Sequence, residues 1–215
     1  MSHYFETPAA PGQTHRYWAH LWGRRVKLTS SDGVFSAHRL DLGTATLLHL
    51  TQPPPADQPL RLLDLGCGAG AIGIALALAC PQASIDAIDI NQQAIDLTNL
   101  NAKDLGVGDR LIATTADAIP STRRYDQIWS NPPIRIGKPA LHQLLNAWLT
   151  RLTDSGVANL VVAKNLGSDS LQNWLIEAGW LVTRLGSSKG YRVLSVRRPF
   201  DCTTEPGFQD QLPNH

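Results

Sequence analysis

Asn131-Pro132-Pro133 follows directly on Tyr125-Asp126-Gln127-Ile128-Trp129-Ser130, an apolar pattern of strand type. Two successive prolines fix φ and remove two N–H donors, so the turn offers the Asn131 side-chain oxygen and the Pro132 carbonyl as a preset pair of hydrogen-bond acceptors. Such a pair suits an incoming amino group: accepting both of its hydrogens localises the nitrogen lone pair and favours a cationic product. This chemistry requires only a nucleophile held in line, about 3 to 3.5 Å from its electrophile. No His or Glu stands nearby in the sequence to serve as a base. Taken alone the tripeptide is also ordinary turn punctuation. Ser130 reads as a strand-end residue or an auxiliary acceptor.

A second cluster lies upstream. Asp64-Leu65-Gly66-Cys67-Gly68-Ala69-Gly70 follows an apolar run and opens a helical one, where glycines permit a tight turn and close backbone approach to a ligand. With Ala71 in the third small position the string also meets the loose dinucleotide fingerprint, so the glycines by themselves leave a nicotinamide ligand open. Asp89 ends the next strand, where a carboxylate accepts ribose hydroxyls, and Asp117 follows the strand after that. Carboxylates at successive strand ends, with no cationic clamp, favour a cationic ligand over a pyrophosphate. S-adenosylmethionine carries a sulfonium, an ammonium, a ribose and an adenine but no phosphate, and it fits that description.

The elements that must position these residues alternate from residue 61: strand 61–65, helix 71–79, strand 84–88, helix 92–105, strand 111–114 and strand 125–129. Alternation of this kind predicts a parallel sheet whose functional loops lie at the carboxyl ends of its strands. Leu141, Leu144, Leu145, Trp148, Leu149 and Leu152 recur at helical spacing behind Pro139, a residue suited to a first turn. A strand over 157–163 follows, then a helix capped by Ser168 or Asp169 and ended by Gly179. Strands 180–185 and 191–196 are joined too closely for a parallel crossover and are predicted antiparallel. Ahead of this core (61–198), a hairpin within 14–31 turns at Gly23, 40–50 is weakly helical, and a proline-rich connector starts at Gln52. One domain over 1–200 is expected, with an acidic, mobile tail over 201–215.

Hydrophobic content of 43%, charged content of 17% and a net charge of +1 describe an ordinary globular chain. No apolar run reaches bilayer length and the first residues lack a signal pattern, so a cytoplasmic protein is expected. Cys67, Cys80 and Cys202 are too widely spaced for a disulfide framework or a Cys-x-x-Cys site, and reduced thiols are expected. The histidines at 3, 15, 20, 38, 49, 142 and 215 have no metal-ligand spacing, and no metal is expected. Arg16, Arg24, Arg25, Lys27 and Arg39 stand against Asp32 alone, and Arg184, Lys189, Arg192, Arg197 and Arg198 form a second basic stretch. These allow a local RNA surface as well as solvated strand faces. Gly186-x-Ser188-x-Gly190 matches a hydrolase elbow as a string, but a strand follows it, so the match is discarded.

Gly33-Val34-Phe35-Ser36, Leu40-Asp41-Leu42-Gly43-Thr44, Asp64-Leu65-Gly66-Cys67-Gly68, Asn131-Pro132-Pro133-Ile134-Arg135 and Gly190-Tyr191-Arg192-Val193-Leu194 together resemble the methyltransferase small domain family. That family is similar to the catalytic half of bacterial 16S ribosomal RNA guanine-N2 methyltransferases, and the resemblance runs in order from His3-Tyr4-Phe5 to Arg197. It implies an α/β, Rossmann-like class I S-adenosylmethionine-dependent methyltransferase fold: a mostly parallel seven-stranded sheet with an antiparallel last strand, plus the N-terminal β-hairpin. It implies S-adenosylmethionine as cofactor, S-adenosylhomocysteine as product, ribosomal RNA as partner with guanine N2 as acceptor, and a monomer or homodimer. Asn131, Pro132 and Pro133 would form the catalytic turn. Asp89 would hold the ribose, Asp117 with Ala118 the adenine edge, and Asp64 with the Gly66, Cys67, Gly68 and Gly70 backbone the methionine end. Phe35, Thr44 and Ile90 would complete the cofactor pocket, and Ile134, Arg135, Lys138, Tyr191 and Arg192 would face the substrate.

Ile134 departs from this pattern, because amino-methylating relatives usually carry an aromatic residue there to stack the target base. Stacking then falls to Phe35 or Tyr191. The duplicated N-terminal half of the longer ribosomal enzymes is not expected either, which leaves RNA affinity to the basic flanks, Arg135, Lys138 or a second subunit. A protein-glutamine methyltransferase, which normally carries Tyr at the Ile134 position, and a small-molecule N-methyltransferase are the alternatives. A non-catalytic module binding S-adenosylmethionine or RNA is opposed by the intact Asn131, Pro132 and glycine loop.

Overall fold

Strand patterns buried on both faces are what a parallel sheet covered by helices requires, and the computed structural model, which describes residues 13–199, is built that way. Its elements are β1 Thr14–Leu21, β2 Arg24–Ser31, α1 Leu42–Leu50, β3 Arg61–Leu65, α2 Ala71–Ala79, β4 Ser84–Ile88, α3 Gln92–Asp104 and β5 Leu111–Thr114. β6 Tyr125–Ser130, α4 Lys138–Leu149, β7 Leu152–Ala163, α5 Ser168–Glu177, β8 Leu181–Ser188 and β9 Tyr191–Arg197 complete it. β1 and β2 pair with each other, and the remaining strands form one seven-stranded sheet of order β5-β4-β3-β6-β7-β9-β8. Neighbours from β5 to β7 are parallel. β9 runs antiparallel to β8, as the short connection between them demands, and antiparallel to β7 on its other side.

Alternation along each strand divides the core. In β3, Leu62 packs with α2 and the hairpin, whereas Leu63 and Leu65 pack with Leu141, Leu145, Trp148 and Leu171 of α4 and α5 on the opposite face. Asp64 shares the parity of Leu62 and therefore lies under α2. The hairpin presses Ala19, Leu21, Val26 and Leu28 onto the α2 face and leaves Arg16, Trp18, His20 and Lys27 outside. Asn101 of α3 fastens it: its Oδ1 accepts from Thr29 N at 2.8 Å, and its Nδ2 donates to the carbonyls of Thr29 and Ala69 at 2.8 and 2.9 Å.

Several boundaries shift from the sequence reading, and two of the shifts have a clear tertiary cause. Leu152 does not continue α4 but opens β7, because it pairs with Tyr125 before a bulge resets the register to Gln127 and Val157. Neither Ser168 nor Asp169 caps α5; Gly167, at φ 99°, is the N-cap and makes no side-chain cap bond. The Asp169 carboxylate is instead bound by Arg192. The tail over 201–215 and His3-Tyr4-Phe5 lie outside the described residues. No helix among the described residues is long and apolar enough to cross a membrane.

Asn101 is 1% exposed, so truncating it strands one buried N–H and two carbonyls. Asn101→Ala is expected to lower unfolding free energy by roughly 2 to 4 kcal/mol, read from the urea midpoint. A loss below about 0.5 kcal/mol would show that the hairpin is held by its apolar face alone.

Candidate functional site

Register places the chemistry-bearing loops side by side. Leu65 pairs with Ser130 on one side and Ile88 on the other, and Ile88 pairs with Thr114. The residues that follow, Asp117, Asp89, the Gly66 loop and Asn131, therefore leave the sheet along one carboxyl edge. Strand order reverses between β3 and β6, so the Gly66 loop and Asn131 flank the crevice where open α/β sheets bind ligands.

The loop is shaped by close packing. Gly70, at φ 83°, caps α2, and a Cβ there would lie 2.8 Å from Thr98 Cγ2. Beneath it, Asp64 Oδ2 accepts from Gly73 N at 2.8 Å, tying β3 to α2. Asp64 Oδ1 is buried with no partner among the described residues. Burial raises this carboxyl to about 7, opposed by the Gly73 hydrogen bond and reinforced by Asp89. Burial also pushes the Cys67 thiol well up, with Asp64 adding to the effect, so this cysteine is held neutral. Asp89 braces the loop from β4: Oδ2 accepts from Gly68 N and Oδ1 from Asn91 N, both at 3.0 Å.

The acceptor turn is held from α1. Asp41 Oδ2 accepts from Thr44 N at 3.0 Å, capping the helix, and from Asn131 Nδ2 at 2.7 Å. Thr44 Oγ1 accepts a second hydrogen of the same amide at 3.2 Å. A carboxylate only accepts, so Asp41 fixes which end of the Asn131 amide turns inward and leaves Oδ1 as the outward acceptor. The Pro132 carbonyl accepts from Ile134 N at 2.8 Å, which fixes its direction and leaves it one lone pair. A Cβ on Gly43 would meet Asp41 Oδ2 at 2.8 Å, Tyr191 Cε1 at 2.9 Å and Asn131 Nδ2 at 3.1 Å. Only glycine lets these three groups converge.

Other expected residues fall into distinct places. Phe35 and Ile90 are 68% and 67% exposed, and Asp117 and Ala118 are exposed beyond β5. The Asp117 carboxyl is held below its ordinary range by hydrogen bonding to Thr115 and nearby backbone amides. Ser130 Oγ is buried and donates to the Leu65 carbonyl at 2.6 Å, the strand-end role. Ile134 packs against the α4 core, while Lys138 at the start of α4 is exposed. Tyr191 is half-buried beside Asp41. For Arg135 only the backbone turn is described. Arg192 is a correction: strand alternation turns it to the face opposite Tyr191, where it is 6% exposed and bound to Asp169 and Gln172 rather than open to a substrate. The sequence reading gave no role to Asp41, although an Asp standing just before the helical run Leu42-Gly43-Thr44 is an N-cap signal. It also missed Asn91, whose Nδ2 holds the Gly33 carbonyl at 2.9 Å and ties the Phe35 loop to Asp89.

The histidine spacing also hid one cluster: His15, Asp32 and His38 offer one metal-type donor atom each, all within 4.8 Å of one another. Asp32 accepts from His15 at 2.8 Å with His38 at 3.5 Å, so the group closes the open end of the hairpin.

Comparison with known proteins gives consistent results. The methyltransferase small domain family matches residues 25–195. An uncharacterised Bacillus subtilis protein, YbxB, is 29% identical over 91% of this chain and 98% of its own length. Ribosomal RNA small subunit methyltransferase C of Pseudomonas aeruginosa is 33% identical over 90% of this chain, which spans 58% of that protein. Release factor glutamine methyltransferase of Bordetella pertussis is 43% identical over 43% of this chain and 34% of its own. The fold resembles a Thermus thermophilus 16S rRNA N2 G1207 methyltransferase solved with AdoMet and guanosine, with a TM-score of 0.76 and 24% identity, covering 90% of this chain and 53% of that one.

The buried Asp64 carboxyl has a measurable consequence. Its folded pKa of about 7 lies above its ordinary value of 3.8, so the folded state binds the extra proton and stability falls as pH rises between those values. Asp64→Asn removes this dependence. Relative to the parent, the variant should gain about 1 kcal/mol per pH unit from pH 4 toward pH 7 in urea unfolding. A constant difference across that window would mean that the carboxyl is ionised throughout.

Proposed function

The chain belongs to the methyltransferase small domain family and is an S-adenosylmethionine-dependent methyltransferase; from that premise we propose that it methylates an exocyclic amino nitrogen of RNA, guanine N2 of ribosomal RNA. The observation that carries this reading is the Asn131 amide, whose Nδ2 is held by Asp41 and Thr44, which leaves Oδ1 as the end able to accept from an amine. The name of the Pseudomonas aeruginosa relative supports the ribosomal substrate.

The pocket suits the cofactor by its donor set. Asp64, Asp89 and Asp117 form no ion pair among the described residues, which favours a cationic ligand. Asp89 keeps acceptor capacity beyond its bonds to Gly68 and Asn91, enough for ribose hydroxyls. Asp64 Oδ1 offers an unpaired carboxylate oxygen on the methionine side, and exposed Ile90 and Phe35 offer apolar faces for adenine or the target base. S-adenosylmethionine, when bound, supplies a methyl already activated on a sulfonium.

The chain's own residues then have to orient the amine. Asn131 Oδ1 and the Pro132 carbonyl accept its two hydrogens and turn its lone pair toward the methyl. Their aligned dipoles stabilise the positive charge that develops on nitrogen. No titrating group on the turn is needed, since accepting hydrogens, not removing a proton, is what raises nucleophilicity before transfer; the N–C bond would form as the S–C bond breaks, and the cationic product would then give up one proton to solvent. Phe35, the more exposed of the two aromatic candidates, offers a ring face to stack a base that Ile134 cannot. Lys138 follows the turn in the chain and is exposed at the start of α4, a cation available to RNA.

A second reading has a specific support. The local likeness to a release factor glutamine methyltransferase covers 94 residues, and a carboxamide nitrogen would meet the same two acceptors.

Labelled methyl from S-adenosylmethionine, incubated with total RNA and followed by nucleoside digestion, should appear as N2-methylguanosine. Asn131→Ala should lose about 100-fold or more in turnover while binding S-adenosylhomocysteine as the parent does. Cofactor binding with label only in protein would move the function to the glutamine reading, and an active Asn131→Ala would remove the mechanism. Asp41→Ser tests the orientation device separately. Serine keeps the helix cap but is too short to reach Asn131, so turnover should fall about 10-fold or more while unfolding free energy drops only by the loss of that one bond, about 1.5 to 3 kcal/mol. Parent-level turnover in that variant would show that Asn131 is oriented without Asp41.

A further inference from the structure

Both two-residue hairpin turns of the fold have positive φ at each position: 43° and 80° at Trp22-Gly23, 49° and 81° at Lys189-Gly190. Asn-Gly and Asp-Gly are the sequences that such turns prefer, and a long side chain in the first position is strained. Trp22 has an internal compensation. Its ring packs edge-on to Trp129 at 5.4 Å, and its Nε1 donates to the Thr51 carbonyl at 3.1 Å. Lys189 has no comparable partner, because its ammonium makes no ion pair among the described residues.

Lys189 instead lines a cavity of about 320 Å³ together with Lys164, Asn165 and Tyr191. Strand pairing brings the two lysines together: Ala163 pairs with Tyr191, and Lys164 N donates to the Gly190 carbonyl at 2.8 Å. The neighbouring acid, Asp169, is engaged by Arg192, and Arg184 and Lys164 both lie within electrostatic reach of it, so cations outnumber the acid there. On its inner side the cavity is walled by Tyr191. That ring and the Asn131 amide lie 2.9 and 3.1 Å from the same point, the position a Gly43 Cβ would take. A cationic cavity thus adjoins the amine-accepting turn, separated from it by one aromatic ring.

We propose that this cavity is a phosphate subsite. Lys164 and Lys189 hold a phosphodiester of the nucleic-acid strand whose acceptor base is presented to Asn131, and Tyr191 lies against that nucleotide. The proposal rests on the RNA reading above and deepens it. The volume is that of a small ligand pocket, at the lower end of about 300 to 1,000 Å³, and suits a sugar-phosphate unit rather than a lone ion. Lysine binds phosphate as a point charge, so the contact would position the strand without reading its sequence.

The experiment is fluorescence anisotropy of the full chain with a labelled single-stranded RNA across a salt series, alongside calorimetric binding of S-adenosylhomocysteine. Lys164→Gln and Lys189→Asn should each weaken RNA binding by about 5-fold at low salt and reduce the log–log salt slope by roughly 0.7, with cofactor affinity unchanged. Lys189→Asn also creates the preferred turn sequence, so its thermal midpoint should hold or rise while RNA affinity falls, a divergence that a purely structural lysine would not produce. An RNA-methylating parent whose double variant keeps both affinity and salt slope overturns the subsite alone. A parent that neither binds nor methylates RNA overturns the RNA reading and the subsite with it.

Discussion

The contact on which the site depends is a carboxylate clamping an amide. Asp41 reaches from the start of α1 to the Asn131 amide at the end of β6 and accepts a hydrogen of it at 2.7 Å. An unrestrained asparagine can turn either end toward a ligand, and the two ends are opposite in hydrogen-bonding sense. A charge-assisted bond, worth about 1.5 to 3 kcal/mol, is enough to commit it to one. Because the same oxygen caps α1 through Thr44 N, helix placement and amide orientation are one constraint. Gly43 is the residue that lets the groups approach.

Opposite this turn, the loop after β3 is held by carboxylates working on backbone amides. Asp89 fixes Gly68 and Asn91, and Asp64 fixes Gly73 from below. The arrangement costs stability, since a fully buried carboxyl with one unpaired oxygen is expensive to ionise. A cationic ligand at the loop would offset that cost. The hairpin completes the enclosure. Pinned by Asn101 and closed by His15, Asp32 and His38, it delivers the Gly33 to Phe35 segment to Asn91 and so to the cofactor side of the crevice.

Much of the fold was legible in the chain itself. The strands over 61–65, 84–88 and 111–114 and the helix over 71–79 have the same bounds in the structure as in the pattern of apolar residues, because local periodicity and glycine punctuation agree there. The pattern misled where tertiary pairing outweighed it. Leu152 has helical spacing but pairs with Tyr125 in the sheet, and Asp169 has capping chemistry but is drawn to Arg192. Arg192 itself was misplaced for a related reason: charge in a strand sequence does not say which face it takes.

The residue types that can do chemistry, the Asn-Pro-Pro turn, the glycine loop and the acids after successive strands, were determined by sequence alone, because each is set by short-range backbone geometry. What only the tertiary structure decided was their partners. Asp41 and Asn131 are separated by 90 positions in the chain, Lys164 and Lys189 meet only through β7–β9 pairing, and His15 meets both Asp32 and the His38 ring only in the fold. Hydrogen-bond direction, charge proximity and burial depend on distances across the fold, and no local pattern of residues encodes them.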